Sequence, residues 1–119
     1  MNVEPITVTV GDLSKGYTDD AVGGVTAYGG TLDVRPPYQR EFVYRDDRRD
    51  EVVRTILKGL PLNVMYWVDR GPDARPRYEV MDGQQRTISA CSYVAGQYSL
   101  DGRFFFNLPR DTQESILGY

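Results

Sequence analysis

Histidine is absent from all 119 residues. That removes a His-dependent catalytic triad, the usual zinc sites and any HNH-type or His-dependent metal nuclease from this chain. Cysteine occurs once, at Cys91, so no internal disulfide framework exists, and a reducing, cytoplasmic setting is expected. Lysine is scarce: of 14 cationic side chains only Lys15 and Lys58 are lysine. An arginine bias suits bidentate phosphate contacts, although GC-rich coding produces it more readily. The net charge of −3 argues against strong non-specific binding of nucleic acid by the domain as a whole. Long apolar runs are missing as well. The longest, around Val64–Val68, is far too short to span a bilayer, and no secretory pattern opens the chain, so no membrane partner is expected.

What remains is an ordinary globular composition, 40% apolar and 26% charged, with length for one domain and a modest core. Ile6–Val10 alternates apolar residues with threonine and reads as a short strand or extended arm. Residues 11–30 hold six glycines, which suggests a helical turn near Leu13 followed by loop. Thr31–Val34 reads as a strand stopped by Pro36-Pro37. The clearest helix spans about Asp47 to Lys58, with Val52, Val53, Ile56, Leu57 and Leu60 on one stripe. Asp46 or Asp47 would cap it, and Gly59 with Pro61 would end it. A β-rich run (Asn63–Val68), a turn-rich loop (Asp69–Pro76) and a strand (Arg77–Met81) follow. A helix then starts after Asp82, with Ile88, Cys91, Val94 and Ala95 inward, and stops at Gly96. Phe104–Phe106 suggests a strand, and Pro109 opens a last helix whose pattern is cut off at Tyr119, as in the N-terminal part of a longer protein. The order implies a small α+β domain, a mixed short-stranded sheet with helices packed on it.

The most informative stretch is Tyr78–Ser89, where a strand ends on Asp82-Gly83 and a helix opens at once with Gln84, Gln85 and Arg86. A helix mouth fed by a glycine presents unpaired backbone N–H groups and the positive end of the helix dipole, the arrangement that holds phosphate. Arg86 can add a planar, permanently charged fork. A cation in the first turn opposes the dipole and gains nothing unless an anion is near, which is a physical hint of a ligand. The same residues also fit a capping box, with Asp82 as cap and Gln85 reaching back. The two readings compete, because a carboxylate folded onto those amides occupies the phosphate's place. They coexist only if Mg²⁺ sits between Asp82 and the phosphates.

Arg35, Tyr38, Gln39 and Arg40 form a second polar group, stiffened by Pro36-Pro37. Arg40 can meet phosphate across a cleft with Tyr38 packing nearby, or the segment is a rigid surface loop. Tyr66 and Trp67 are expected in the strand and its core rather than as a base-stacking platform. Arg45, Arg48 and Arg49 among Asp46, Asp47 and Asp50 read as a solvated mixed-charge helix start. Cys91 reads as a small, unreactive core residue.

Three strings occur together: Pro37-Tyr38-Gln39-Arg40 with an aromatic soon after, Lys58-Gly59-Leu60-Pro61 closing a helix, and Val80-Met81-Asp82-Gly83-Gln84-Gln85-Arg86-Thr87. In this order, across residues 30–95, they make the chain resemble the N-terminal domain of GmrSD-type, modification-dependent restriction systems. The Asp-Gly-Gln-Gln-Arg string is the specific part; Asn107-Leu108-Pro109 onward also looks like the family's next helix. The resemblance implies a ParB/sulfiredoxin-like fold and a nucleoside triphosphatase coupled to cleavage of foreign, usually phage, DNA. It places Asp82, Gly83, Gln84, Gln85, Arg86 and Thr87 in the nucleotide motif, with Tyr38, Gln39 and Arg40 across the cleft. The implied catalytic residues are Asp82, Gln85 and Arg86, with Asp82 also as the Mg²⁺ ligand. Implied partners are the nucleotide (GTP, ATP or CTP), DNA through the full-length protein or complex, a C-terminal HNH-type nuclease region or subunit, and a second copy of the chain. No nuclease activity is expected from these residues alone. A rival from another class is a ParB-like DNA-binding or assembly module with a non-hydrolytic motif; a purely structural domain is a third.

Overall fold

A sheet that must seat both proline-stopped and glycine-stopped strands against helices determines the layout. In the computed structural model, which describes residues 4–20, 24–35 and 46–119, that sheet has five strands. A short helix α1 (Val10–Ser14) comes first, capped by Thr9, whose side chain accepts the Asp12 N–H at 3.1 Å. Then come β1 (Thr18–Asp20), β2 (Gly24–Ala27), β3 (Leu32–Arg35), α2 (Asp46–Leu57), β4 (Tyr66–Asp69), β5 (Tyr78–Asp82), α3 (Gln84–Val94) and α4 (Arg110–Leu117). The α+β expectation is met. The strand order is β1-β2-β3-β5-β4, and only the β3–β5 pair runs parallel among the described strands.

Several local expectations need correction. The glycine-rich stretch after α1 is not loop throughout: Thr18–Asp20 and Gly24–Ala27 pair antiparallel. Val25 and Ala27 are fully buried there, so burial outweighs the weak strand propensity of glycine. Ile6 stays in an extended arm, without a strand, and is exposed. Phe104–Phe106 is not a strand either: Phe105–Asn107 winds into a 3-10 turn, held by the Asn107 side chain accepting the Phe104 N–H at 3.1 Å. Helix α2 keeps Val52, Val53 and Ile56 buried, but Leu57 and Leu60 are exposed, so its inward stripe is narrower than its apolar pattern. Gly59, at a φ of 68°, ends α2 in a left-handed turn in which the Leu60 N–H returns to the Thr55 carbonyl. The residue that caps α2 lies outside the described residues.

Helix α3 departs most from the amphipathic expectation. Ile88 and Val94 are only half-buried and Ala95 is exposed, whereas Thr87, Ser89, Ala90, Cys91, Ser92 and Tyr93 are all buried. The reason is that α3 is covered on two sides. Towards the sheet, Cys91 packs with Leu13, Val25, Ala27, Leu32, Val34 and Val80. Away from it, Ala90 and Tyr93 join Val10, Val52, Val53, Ile56, Leu100, Phe105 and Ile116 from the outer helices and loops. A helix enclosed nearly all round needs small residues, and serine, alanine and threonine supply them.

The opposite face of the sheet carries ion pairs beside the exposed side chains of Val68 and Met81. Arg70 bridges Asp33 on β3 and Glu79 on β5 at 3.2 and 2.8 Å, and Thr18 and Thr26 hydrogen-bond across β1 and β2. The β4–β5 hairpin is closed by Arg77, which grips Asp69 with two 2.9 Å contacts, while the Gly71 N–H donates to the same carboxylate. The aromatic cluster on the hairpin's other face joins Trp67, Tyr28 and Tyr78, with ring centroids 5.6 to 6.4 Å apart. Trp67 is thus a packing residue as expected; Tyr66 instead is 54% exposed.

Two outcomes follow from this packing. Leu32→Ala, at a position with no solvent exposure, should lower the unfolding free energy by about 2–5 kcal/mol, read as an earlier urea midpoint at an unchanged slope. The Arg77 guanidinium, aided by the Gly71 N–H, holds the Asp69 carboxyl down from 3.8 to about 2. A depressed folded-state pKa contributes stability above the ordinary value that is lost as pH falls through the window between the two. Asp69→Asn should therefore flatten the acid-side decline of Tm in that window; an unchanged decline would show that the ion pair adds no stability.

Candidate functional site

Parallel neighbours in a sheet end on the same edge. Leu32 pairs with Tyr78 and Asp33 with Glu79, so β3 and β5 run side by side and leave the sheet together, at Arg35 and Asp82. Each strand leads to a helix, β3 to α2 and β5 to α3 with only Gly83 between. The crevice beyond the carboxyl ends of such strands is where open α/β sheets bind ligands. The backbone therefore delivers the start of one polar segment and the whole of the other to one edge. Tyr38, Gln39 and Arg40 lie outside the described residues, along with Pro36-Pro37.

Asp82 does not cap α3. It is the last residue of β5, paired across the ladder with Tyr66, and Gly83 occupies the N-cap position with no side-chain cap hydrogen bond. The capping-box alternative is thus overturned: the Asp82 side chain, 67% exposed, makes no cap hydrogen bond and lies 3.7 Å from Arg86 instead. The first turn contains no acidic residue. Its amides retain the free donors expected at an uncapped helix start.

Gly83 has a φ of 106°, a region that side-chain-bearing residues avoid. A second constraint acts there. A Cβ at this position would lie 2.6 Å from Met65 Cγ, so the close approach that glycine permits is that of Met65. Thr87 locks the bend from the other side: both its N–H and its hydroxyl donate to the Gly83 carbonyl, at 3.0 and 2.8 Å. Its Oγ1 also lies 3.4 Å from the Met65 sulfur. With no solvent exposure and a satisfied hydroxyl, Thr87 supports the junction from beneath. No motif in the sequence signals Met65, which belongs to the chain preceding β4.

Arg86 is the unusual group. Its side chain is only 17% exposed, yet among the described residues its guanidinium makes no hydrogen bond, and its one partner is Asp82 at a loose 3.7 Å. The anion that a first-turn cation requires is thus supplied by the protein itself, four residues back along the chain. A pair with one well-exposed member separates at little cost. Gln84 is half-buried and Gln85 exposed, both at the open end of α3. Cys91, by contrast, is sealed in the core; burial pushes its thiol up to about 12, so it carries no nucleophile. Among the described residues no group of three or more carboxylate, cysteine or histidine side chains converges, and no helix is long and apolar enough to cross a membrane.

The family model described as the GmrSD restriction endonuclease, N-terminal domain, matches residues 23–117. The chain belongs to that family. The matched span runs from the start of the β2–β3 hairpin to the end of α4, so it contains both polar segments and the two strands that end at one edge. No curated protein and no solved structure matches the chain. In this GmrSD N-terminal domain the sequence motif Asp82–Thr87 therefore divides into parts. Asp82 and Gln85 are exposed at the bend, Gln84 and Arg86 are partly enclosed beside them, and Gly83 and Thr87 hold its shape.

Gly83→Ala should destabilise the domain by about 1–3 kcal/mol from the positive φ alone, and by more through the Met65 clash. Adding Met65→Ala to Gly83→Ala should recover only the clash. Urea unfolding of the two single variants and the double variant measures this, and strict additivity would remove Met65 from the account.

Proposed function

We propose that this domain binds a nucleoside triphosphate at the Asp82–Arg86 bend and hydrolyses it, as the regulatory part of a DNA restriction system in phage defence. One observation carries the reading. Arg86 is a largely enclosed guanidinium with unspent hydrogen-bond donors, beside the uncapped amides of α3 and held only by a loose carboxylate. A phosphate group would take both donor sets at once, and a bidentate contact is stronger than the 3.7 Å pair it replaces.

Released from Arg86, Asp82 is a single exposed carboxylate next to the phosphate position. That donor set fits Mg²⁺, which commonly takes one or two protein carboxylates together with phosphate oxygens. When bound, the ion would neutralise phosphate charge. The chain's own groups do the rest. The α3 amides and Arg86 hold the terminal phosphates, Gln84 and Gln85 orient phosphate oxygen or water, and Tyr38, Gln39 and Arg40 contribute to binding the nucleotide. Positioning and charge neutralisation supply most of the acceleration in such in-line displacements. The reading includes the ParB/sulfiredoxin-like assignment of the fold. It also includes DNA, a C-terminal HNH-type nuclease region and a second copy of the chain as partners.

Thermal melting with ATP, GTP, CTP and UTP, each with and without Mg²⁺, tests the proposal, with phosphate release measured for any nucleotide that binds. Arg86→Ala should abolish the nucleotide-induced rise in Tm while leaving the unliganded Tm within a few degrees. An undiminished rise in that variant would take Arg86 out of the site. Salt-sensitive DNA binding without nucleotide turnover would favour the DNA-binding module instead.

A further inference from the structure

The charged start of α2 was expected to be solvated; Arg48 is exposed, but Arg49 and Asp50 are not. Arg49 and Asp50 have side chains only 27% and 25% exposed, and the Arg49 guanidinium carbon lies 3.8 Å above the centre of the Tyr98 ring. Tyr98, in the loop after α3, in turn donates its hydroxyl to the Ser89 carbonyl at 2.7 Å, and its ring lies 5.5 Å from that of Tyr93. One side chain thus touches both helices that follow the two parallel strands: α2, reached from β3 through residues 36–45, and α3, reached from β5 through Gly83.

Asp50 Oδ1, 3.6 Å from Arg49 Nε, and Ser89 Oγ are both buried without a hydrogen-bond partner, although native structures rarely leave such atoms unpaired. Helical spacing places Arg49 on the same stripe as Val52, Val53 and Ile56, which face α3, while Ser89 lies one turn before Tyr93 on the facing surface. Below this level, the seam is apolar and closed by that core. At this level Tyr98 bridges the two helices.

We propose, building on the nucleotide reading above, that Tyr98 is a positioning residue that clamps the first turns of α2 to α3. It thereby fixes the start of α2 against the helix whose first turn carries Gln84, Gln85 and Arg86. The guanidinium–ring contact holds α2, and the hydroxyl–carbonyl bond holds the ring to α3. Neither Tyr98 nor Arg49 touches the ligand in this arrangement.

Amide hydrogen exchange on the unliganded domain tests the clamp. In Tyr98→Ala, amides of Arg48–Val53 should exchange about tenfold faster or more, with β5 and α4 unchanged. Tyr98→Phe keeps the ring beneath Arg49 and should retain most of the protection. Arg49→Gln, which leaves the core intact, should reproduce the local loss. Wild-type protection of α2 in both Tyr98→Ala and Arg49→Gln would overturn the proposal. So would a rise shared equally by β5, α3 and α4, since that marks general core packing. A parallel titration with Mg²⁺ and the tightest-binding triphosphate should show about tenfold weaker binding for Tyr98→Ala and near wild-type binding for Tyr98→Phe. A wild type that responds to no triphosphate sinks the nucleotide reading and with it the role of Tyr98 towards that site; the exchange comparison still decides the clamp.

Discussion

The parallel pairing of β3 with β5 is the constraint on which the rest of this domain depends. Its antiparallel neighbours, β2 and β4, are joined by short connections, but β3 and β5 can lie side by side only if the chain crosses through α2 and the edge strand β4. The crossover has a geometric consequence. Both strands end at the same edge, so segments separated by more than forty residues in the chain start from adjacent points. An antiparallel arrangement would have sent them to opposite edges, and no common site would exist.

The second constraint is the double burial of α3. A helix enclosed by the sheet on one side and by α1, α2 and α4 on the others cannot move without disturbing both cores. Its first turn is consequently a rigid platform, and the bend that leads into it is fixed at three points: the positive φ of Gly83, the Met65 side chain packed against it, and the two Thr87 hydrogen bonds to its carbonyl. On the other side, the Arg49–Tyr98 contact and the Tyr98 hydroxyl tie the start of α2 to α3.

Much of the architecture was legible in the amino-acid order. Periodicity placed α2, α3 and α4 within a residue or two, and the Gly59 and Gly96 stops were read correctly because few other residues accept their backbone angles. The first two strands were missed, since their glycine and aspartate residues hide two fully buried side chains, Val25 and Ala27, in an unpromising context. The 3-10 turn at Phe105–Asn107 was mistaken for a strand because three consecutive aromatics mimic one; an asparagine side-chain bond decides otherwise. The inward face of α3 was misjudged because serine and threonine carry no apolar signal.

The chain by itself determined the chemistry at the bend. Asp82, Gly83, Gln84, Gln85 and Arg86 are contiguous, and a strand ending on a glycine that opens a helix is a local event, dictated by backbone sterics and dipoles. Whether Asp82 would cover the amides or turn from them was not local. It depended on Gly83 taking a φ of 106°, which Met65 and Thr87 enforce from elsewhere in the fold. The partial burial of Arg86, the arrival of β3 and β5 at one edge, and the insertion of Tyr98 between two helices were likewise decided only by the tertiary structure. Each arises from packing between residues far apart in sequence, and no pattern confined to a short window records it.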